Sequence, residues 1–478
     1  MTQTEAIVAL PEQVVSEQQQ PRQRFLSLSG AERRVVSWLA PLALIHTLIY
    51  VFLVPPWQHY DEPGHFLYAA YIVRGGINAP DDVAIAREVA DSMYRHDFWP
   101  PGVRPDLLSP RPPGIPTDQR HHPPLYYSVI AVLIGPFRYM PVEYQLYLGR
   151  VFSAFLMMLT VITVWRIGLT IAPDEPQMAL VLAALIASTP AFVDLMSALN
   201  SDVLMNFAAA TAFLGFAILI RHGWCGSGVV LAVLGTGVAI LTKRTAIPLL
   251  VPMLLTLVWS MYRRPIRWWV YLTGLVLSTG ALLMLSFTFD TYGLRTQPWL
   301  AALERDYLRM DIVVWLQSWL NWERSWPWYV RTVEIAHNHF WVRLAWGHIT
   351  IWPPVGDWLF AGLSIAAIIG LLRGTRQWLV ALPNWQQRWL WLCAIAVGLA
   401  WFTLLGRLHP LDEQEVPYIP RGRYLFWAIV PTIWLLAAGW QQLWPTRWRP
   451  LTPYLLLAII VVFDLVALLT LVTFYYLR

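Results

Sequence analysis

Three apolar runs in this sequence are long enough to cross the hydrocarbon core of a membrane: Val35 to Val54, Leu148 to Ile171 and Leu451 to Tyr476. A helix needs about 20 apolar residues to span that core. Hydrophobic residues make up 57% of the chain and charged residues 13%, with a mean hydropathy of +0.48. This balance excludes an ordinary soluble enzyme. The sequence therefore predicts an all-α, polytopic membrane protein.

The arginines indicate which apolar segments cross the membrane, because short cytoplasmic loops collect arginine and lysine. Apolar segments begin near Val35, Pro124, Leu148, Gln177, Val203, Gly228, Ala246, Trp268, Trp358, Trp389, Tyr424 and Leu451. If the segment at Pro124 lies along the outer surface and the others cross, one set of arginines is wholly cytoplasmic. This set is Arg22, Arg24, Arg33, Arg34, Arg166, Arg221, Arg263, Arg264, Arg267, Arg373, Arg376, Arg388, Arg447 and Arg449. An arrangement of about 11 transmembrane helices is therefore preferred.

Composition also divides the chain into four parts. They are a cytoplasmic tail at 1–34, predicted to be disordered, a membrane module at 35–288 with a large outer loop at 55–149, a Trp-rich interfacial segment at 289–356, and the last spans at 357–478 with an outer loop at 406–423. Tryptophan prefers the headgroup level of a membrane. The large loop, the segment around residues 200–202 and the Trp-rich segment all fall on one predicted face, where chemistry can take place.

Two juxtamembrane helices are predicted in the first outer loop. The first covers Glu62 to Arg74, and Pro63 suits its first turn. The second covers Asp81 to His96, with Ile85, Val89 and Met93 along one apolar face.

Two adjacent carboxylates, Asp61 and Glu62, follow the first apolar run. The positive end of a helix keeps such groups ionised, and an ionised carboxylate can take a proton from a sugar hydroxyl as a general base. The structural alternative is that both residues cap the helix. His59 and His65 flank the pair, so a metal site is a further alternative, although the spacing fits no known zinc pattern. His65 can equally face water or a phosphate.

Polar groups also mark two later positions on the same face. His122 precedes the surface segment and Arg150 opens the next run, where a lipid phosphate or an acceptor would lie. The alternative is a solvated turn at His122 and an Arg150 side chain that extends to the headgroups. Asp202 can position an acceptor or help to hold a cation, or it can be an ordinary first-turn residue of a helix capped by Asn200.

Several cations lie on this outer face, against the positive-inside trend. They are Lys243, Arg244, Arg407, Arg421 and Arg423. Cations in such places favour a binding role, and a phosphate or pyrophosphate is the natural ligand. The alternative is pairing with acids of the last outer loop, namely Asp412, Glu413 and Glu415.

Together these motifs resemble those of the GT-C glycosyltransferases. The resemblance rests on Asp61-Glu62 after the first run, the His-Pro-Pro-Leu-Tyr-Tyr stretch at 122–127, Arg150, and Asn200-x-Asp202. The sequence is similar to bacterial membrane proteins related to the protein O-mannosyltransferases and the lipid A aminoarabinose transferases. The patterns at 61–66 and 421–425 are similar to those of the DUF2142 family.

The resemblance implies a GT-C fold and inverting transfer of a sugar from a polyprenyl-phosphate-linked donor to an extracytoplasmic acceptor, which is a lipid, a glycan or a protein. It implies that Asp61 is the base, Asp202 an acid of the second outer loop, Arg150 the arginine of the following span, and Lys243 a lysine near the donor phosphate. It places the protein in the inner (plasma) membrane with an outward active site. No cofactor is required, a divalent cation is allowed, and no nucleic acid partner is expected.

Two other classes remain open from the sequence. A transporter or lipid flippase would carry ionisable residues in the middle of its spans and inverted repeats. Asp464 is such a residue, but the other acids lie at span ends and no repeat is visible. A structural assembly protein that uses its Trp-rich surface would depend on no single carboxylate.

Overall fold

The computed structural model describes residues 29–75, 82–99, 103, 106–107, 115, 119–120, 122–261, 320–406 and 421–477. The N-terminal tail, most of the Pro-rich part of the first loop, the segment at Trp268 and most of the loop at 406–423 lie outside this range. Predictions that fall on those residues stay predictions.

The described chain is almost entirely helical, which confirms the all-α class. The helices are α1 Gly30–Leu53, α2 Glu62–Val73, α3 Asp82–Arg95, α4 Leu125–Ile134, α5 Val142–Ile171, α6 Pro176–Ala187, α7 Pro190–Met196, α8 Ser201–His222, α9 Gly226–Thr242, α10 Leu250–Met261, α11 Trp322–Trp341, α12 Val355–Ala381, α13 Asn384–Leu405, α14 Ile429–Gln442 and α15 Thr452–Tyr476. Short 3-10 turns cover Gly135–Phe137, Arg244–Leu249 and Gly422–Ala428. The sequence did not predict the small antiparallel hairpin of β1 Arg343–Leu344 and β2 Ile349–Thr350.

The described helices give a multi-pass membrane protein. Eight helical segments are long and apolar enough to cross a membrane, two of them formed by α10 and α14 together with the 3-10 turn before each. Helices α6 and α7, bent by 68°, make a ninth if the pair is one span. Helix α9 is apolar but shorter. Because the segment at Trp268 lies outside the described residues, the count of about eleven stays a prediction.

Contacts between helix ends agree with the alternation inferred from the arginines. At one end of the bundle, Arg166 of α5 pairs with Glu32 of α1 at 3.2 Å. At the other end, the Tyr476 hydroxyl of α15 donates to the carbonyl of Leu53 at 2.9 Å. The first end carries arginines predicted to be cytoplasmic, and the second carries the polar loops. The two groups therefore lie at opposite ends of the same bundle.

The first loop folds as predicted over its two helices. Helix α2 begins at Glu62 with Pro63 in its first turn. On α3, the apolar face of Ile85, Val89 and Met93 is completely buried. These side chains form a second apolar core with the aromatic residues of α2 and α4, so α2, α3 and α4 make a packed first-loop layer over the bundle.

The surface segment at Pro124 forms α4 and the following 3-10 turn. At 1.5 Å per residue, Leu125–Phe137 extends about 20 Å, which is too short for a hydrocarbon core about 30 Å thick. This length supports the prediction that the segment does not cross.

Two glycines allow α12 and α14 to pack with their backbones in contact. A Cβ atom at Gly370 of α12 would overlap the carbonyl oxygen of Gly439 on α14. Gly362, on the same α12 helix, has no atom within 4 Å of an added Cβ.

We predict that Gly370→Ala destabilises the protein by about 1–3 kcal/mol, because the added methyl group overpacks the α12–α14 contact. Gly362→Ala is the matched control and should be neutral or stabilising by up to about 1 kcal/mol, since alanine is the better helix former. Thermal unfolding in detergent checks both variants. Equal unfolding midpoints would show that the two helices separate easily.

Candidate active site

A sharp corner between α1 and α2 places Asp61. Trp57 and Asp61 both have left-handed backbone conformations, with φ of 72° and 53°. The buried Trp57 indole donates to the Ser92 hydroxyl of α3 at 2.9 Å, which fixes the corner against the first-loop layer. The Asp61 carboxylate makes no capping hydrogen bond to α2. Its side chain is therefore available for contacts outside its own helix.

Glu62 is locked in a buried ion pair with Arg150. Arg150 Nε lies 2.8 Å from Glu62 Oε1, and Nη2 lies 2.6 Å from Oε2. The backbone N–H groups of Leu199 and Trp57 donate to the same carboxylate, each at 3.1 Å. Both Glu62 oxygens are thus occupied, and neither side chain of the pair reaches solvent.

Arg150 also binds the end of α1. Its Nη1 donates to the carbonyls of Val51 at 3.0 Å and Val54 at 2.6 Å, and its Nη2 donates to the carbonyl of Pro55 at 2.9 Å. The alternative in which Arg150 extends to the headgroups is therefore wrong. The guanidinium instead satisfies helix-end carbonyls that have no intrahelical partner.

Electrostatics keep Glu62 ionised in this buried position. Burial is the largest influence and raises the pKa of Glu62, but the charge and hydrogen bonds of Arg150, together with His59 and the Leu199 N–H, bring the pKa below the ordinary value. A carboxylate held in this way is an anchor for the corner that carries Asp61.

Asp61 binds Arg423, which lies 362 residues further along the chain. Arg423 Nη2 donates to Asp61 Oδ2. The guanidinium stacks on the rings of Tyr60 at 4.6 Å and Tyr424 at 5.4 Å. Arg423 is 9% exposed, and its Nε and Nη1 atoms have no hydrogen-bond partner among the described residues. Buried donors of this kind are costly unless a ligand pairs with them.

Asp202 forms a second ion pair, with Lys243. The Lys243 ammonium lies 2.7 Å from Asp202 Oδ1, and both side chains are buried. Within the described part of the chain, Asp202 Oδ2 has no hydrogen-bond partner. Asn200 accepts a hydrogen bond from the Asp202 backbone at 2.9 Å, which confirms Asn200 as the cap of α8. The Asn200 amide also donates to the Tyr60 carbonyl at 2.9 Å, and so it joins the α8 start to the Asp61 corner.

The two ion pairs share one aromatic residue. Lys243 lies 5.8 Å from the centre of the Tyr424 ring, and Arg423 stacks on the same ring. One polar cluster therefore joins the C-terminal ends of α1 and α9 with the N-terminal ends of α8 and α14. Asp61, Asp202, Lys243 and Arg423, predicted from separate stretches of sequence, lie together.

Arg421 reaches the cluster through a residue that the sequence analysis missed. Its Nη1 lies 3.3 Å from His339 Nε2, and His339 Nδ1 lies 3.0 Å from the Tyr60 hydroxyl. Burial and the nearby guanidinium of Arg421 lower the pKa of His339 to about 3. The imidazole is therefore neutral at physiological pH. The pattern that could have revealed His339 is a polar stripe on amphipathic α11.

The remaining predicted residues have the following places. His65 Nδ1 lies 2.8 Å from the Tyr127 hydroxyl, and its ring stacks on His122 at 6.3 Å. Both histidines belong to the first-loop layer, so the solvated-turn alternative for His122 is wrong. Arg244 opens the 3-10 turn directly after Lys243.

The four side chains considered for a metal site have separate partners. His59 Nδ1 lies 3.1 Å from Asp194, a residue that sequence analysis did not single out. Asp61, Glu62 and His65 bind elsewhere, as described above. Among the described residues, no group of three or more potential ligands is arranged to hold a metal ion. The geometry therefore does not support a metal site shared by His59, Asp61, Glu62 and His65.

Charges in the cluster nearly balance. Glu62, Asp61 and Asp202 each pair with one cation. Arg421 is exposed. Among the described residues, its side chain contacts the neutral His339. Arg421 therefore presents a guanidinium that pairs with no carboxylate among the described residues, which suits an anionic ligand.

Paired carboxylates and cations with unsatisfied donors lie together at one end of an apolar bundle, so the protein is a membrane protein with a buried polar cluster at that end. A family model described as dolichyl-phosphate-mannose-protein mannosyltransferase matches residues 121–286. No curated protein and no solved structure matches the chain.

The family match supports a membrane glycosyltransferase of the GT-C type, in agreement with the resemblance seen in the sequence motifs. The matched segment contains Arg150, Asp202 and Lys243, whereas Asp61 and Arg423 lie outside it. The site is thus assembled from the matched segment and from both flanking parts of the chain.

We predict that Glu62→Gln destabilises the protein by about 3–5 kcal/mol, because it leaves the Arg150 charge buried without a counterion. Since the folded-state pKa of Glu62 is lowered, its stabilising effect is present above the unfolded pKa and is lost as pH falls through the folded pKa. Thermal unfolding in detergent measures the change. The matched control is Glu334→Gln, which breaks an exposed pair with Arg331 and should cost less than about 1 kcal/mol.

Proposed function

We propose that this protein is an inverting glycosyltransferase that moves a sugar from a polyprenyl-phosphate donor to an acceptor at the extracytoplasmic face of the plasma membrane. The acceptor is a lipid, a glycan or a protein. The observation that carries the proposal is the double role open to Arg423, which holds Asp61 with one nitrogen while Nε and Nη1 have no partner among the described residues.

The unsatisfied Arg423 nitrogens suit the phosphate of the donor. Guanidinium groups bind phosphate oxygens through fixed N–H directions, and the resulting charge-assisted hydrogen bonds are strong. A polyprenyl-phosphate sugar is a phosphodiester, which carries one negative charge. The exposed Arg421 guanidinium is placed to offset that single charge, and Lys243 lies next to the same Tyr424 ring that Arg423 contacts.

The reaction is a single displacement at the anomeric carbon. The acceptor oxygen forms a bond to that carbon while the bond from carbon to the phosphate oxygen breaks. The electron pair leaves with the polyprenyl phosphate, and the acceptor proton passes to Asp61. Arg423 and Lys243 offset the charge that grows on the departing phosphate, and preplaced cations in a water-poor site stabilise such charge well. No metal is needed for any of these steps.

Asp61 is suited to the base role by its contacts. Its Oδ2 binds Arg423, while no hydrogen bond to Oδ1 is present in the described part of the protein. Glu62 instead serves the site by holding the corner, because Arg150 and two backbone amides occupy its oxygens. We accordingly assign Glu62 and Arg150 as positioning residues. Asp202 Oδ2 has no hydrogen-bond partner among the described residues, so it is placed to bind a sugar or acceptor hydroxyl.

The transporter alternative depends on a titratable group within the spans. Asp464 of α15 is buried, accepts a hydrogen bond from the Tyr50 hydroxyl at 2.7 Å and lies 2.7 Å from His46 Nε2. Both carboxylate oxygens are thus satisfied by α1. This arrangement favours a structural link between α1 and α15 over a transport site.

We predict that Asp61→Asn lowers sugar transfer roughly 10²–10⁴-fold while the protein remains folded and inserted, because the amide cannot accept the acceptor proton. The assay follows radiolabelled polyprenyl-phosphate hexoses and pentoses in proteoliposomes supplemented with envelope extract as acceptor. Asp91→Asn is the matched control, since Asp91 pairs with Arg95 on the surface of α3. Near-normal turnover by Asp61→Asn would remove Asp61 as the base, and movement of the donor across the bilayer without its consumption would favour a flippase.

We also predict that Arg423→Lys raises the KM for the donor about tenfold or more. Lysine can keep the charge next to Asp61 but lacks the planar set of N–H donors that we assign to the phosphate. Arg447→Lys, which alters a surface arginine stacked on Trp448, is the control and should leave the KM unchanged. A normal donor KM in Arg423→Lys would contradict the phosphate assignment.

A further inference from the structure

The contact of Arg421 with His339 determines which ring nitrogen carries the proton. A guanidinium can only donate hydrogen bonds. Because Arg421 Nη1 faces His339 Nε2 at 3.3 Å, Nε2 must be the accepting atom. A neutral imidazole then carries its proton on Nδ1. The low pKa of His339 excludes the doubly protonated ring at physiological pH.

This tautomer in turn determines the direction of the Tyr60 hydroxyl. His339 Nδ1 lies 3.0 Å from Tyr60 Oη, so Nδ1–H donates and the hydroxyl oxygen accepts. The hydroxyl proton of Tyr60 must therefore point elsewhere. Burial raises the pKa of Tyr60, although Arg423 and Arg421 oppose the rise, so the hydroxyl remains protonated. Tyr60 is thus a neutral donor with a hydrogen available to a further partner.

The hydrogen-bond relay Arg421–His339–Tyr60 is held in place from two sides. Gly347, in the turn between β1 and β2, has φ of +85°, and a Cβ atom there would overlap both the His339 ring and the Tyr60 hydroxyl. Gly422 packs against α11, where a Cβ atom would overlap the carbonyl oxygen of Ala336. The hairpin and the 3-10 turn at Gly422–Ala428 therefore fix His339 between Tyr60 and Arg421.

Tyr60 also lies between two arginines. The Arg423 guanidinium stacks 4.6 Å from the centre of its ring, and Arg421 reaches its hydroxyl through His339. Tyr60 is only half-buried and Arg421 is exposed, so both side chains have surface that a ligand can reach. An anion that contacts both arginines would meet the Tyr60 hydroxyl as well.

We propose that Tyr60 donates a hydrogen bond to a phosphate oxygen of the sugar donor, and that His339 is a positioning residue that sets this direction by accepting from Arg421. The proposal rests on the function proposed above and adds two residues to its donor site. An oxygen acceptor, rather than a second hydroxyl donor, is required opposite Tyr60, which suits a phosphate better than a sugar hydroxyl.

The test measures binding of farnesyl phosphate to the detergent-solubilised full chain by calorimetry, together with the ³¹P resonance of the bound probe. Tyr60→Phe should weaken binding about tenfold, the loss expected for one hydrogen bond to a charged group, and should shift the bound resonance. Tyr454→Phe is the matched control. It removes a tyrosine hydroxyl that binds Gln177 at the far end of the bundle, and both readouts should equal those of wild type.

Two variants of His339 test the relay independently, should Tyr60→Phe fail to fold. His339→Asn retains an amide donor near the position of Nδ1, whereas His339→Phe retains only the ring shape. We expect His339→Phe to weaken farnesyl phosphate binding several-fold and His339→Asn to recover part of the loss. Equal effects of the two variants at equal thermal stability would overturn the relay.

Two further outcomes separate this inference from the proposed function. If Tyr60→Phe binds the probe like wild type with an unchanged resonance, while Arg423→Lys still binds it weakly, the Tyr60 assignment is overturned and the phosphate site stands. If wild type does not bind farnesyl phosphate at all, the polyprenyl-phosphate donor class is overturned, and the role of Tyr60 with it.

Discussion

The buried ion pair between Glu62 and Arg150 is the contact on which the site geometry depends. One guanidinium joins the carboxylate that opens α2 to three carbonyls at the end of α1, while the same carboxylate accepts from the turn before α8. In a low-dielectric interior an unpaired charge is very unfavourable, so each partner holds the other in place. The corner between α1 and α2 is rigid as a result, and Asp61, one residue before Glu62, has a defined position.

The other two ion pairs of the polar cluster are also buried, but their hydrogen bonding is less complete. Asp61 with Arg423, and Asp202 with Lys243, are buried pairs whose members keep polar atoms without described partners. A fully satisfied pair stabilises a structure, whereas a partly satisfied one leaves capacity for a ligand. This contrast separates Glu62 and Arg150, which shape the site, from Asp61, Asp202 and Arg423, which have atoms available for chemistry. The number of hydrogen bonds that each side chain makes thus separates the residues that shape the site from those that can bind a ligand.

Much of the fold was predictable from local sequence. Apolar run length predicted the long helices, and arginine placement predicted that α1, α8, α9 and α14 bring their polar ends together. The period of Ile85, Val89 and Met93 predicted α3. Adjacent acids at a helix start drew attention to Asp61 and Glu62 but could not tell them apart. The partner of each lies far along the chain, 88 residues away for Glu62 and 362 for Asp61. His339 and Asp194 escaped notice because neither belongs to a local motif.

The sequence by itself determined a multi-pass, all-α membrane protein with polar residues gathered at one end of its helices, because hydrophobicity and charge act through spacing along the chain. Only the tertiary structure decided which acid pairs with which cation, that His339 joins Arg421 to Tyr60, and which polar atoms of the described residues lack partners. Those features depend on distances between side chains of different helices, and helix packing fixes such distances without a trace in any short stretch of sequence.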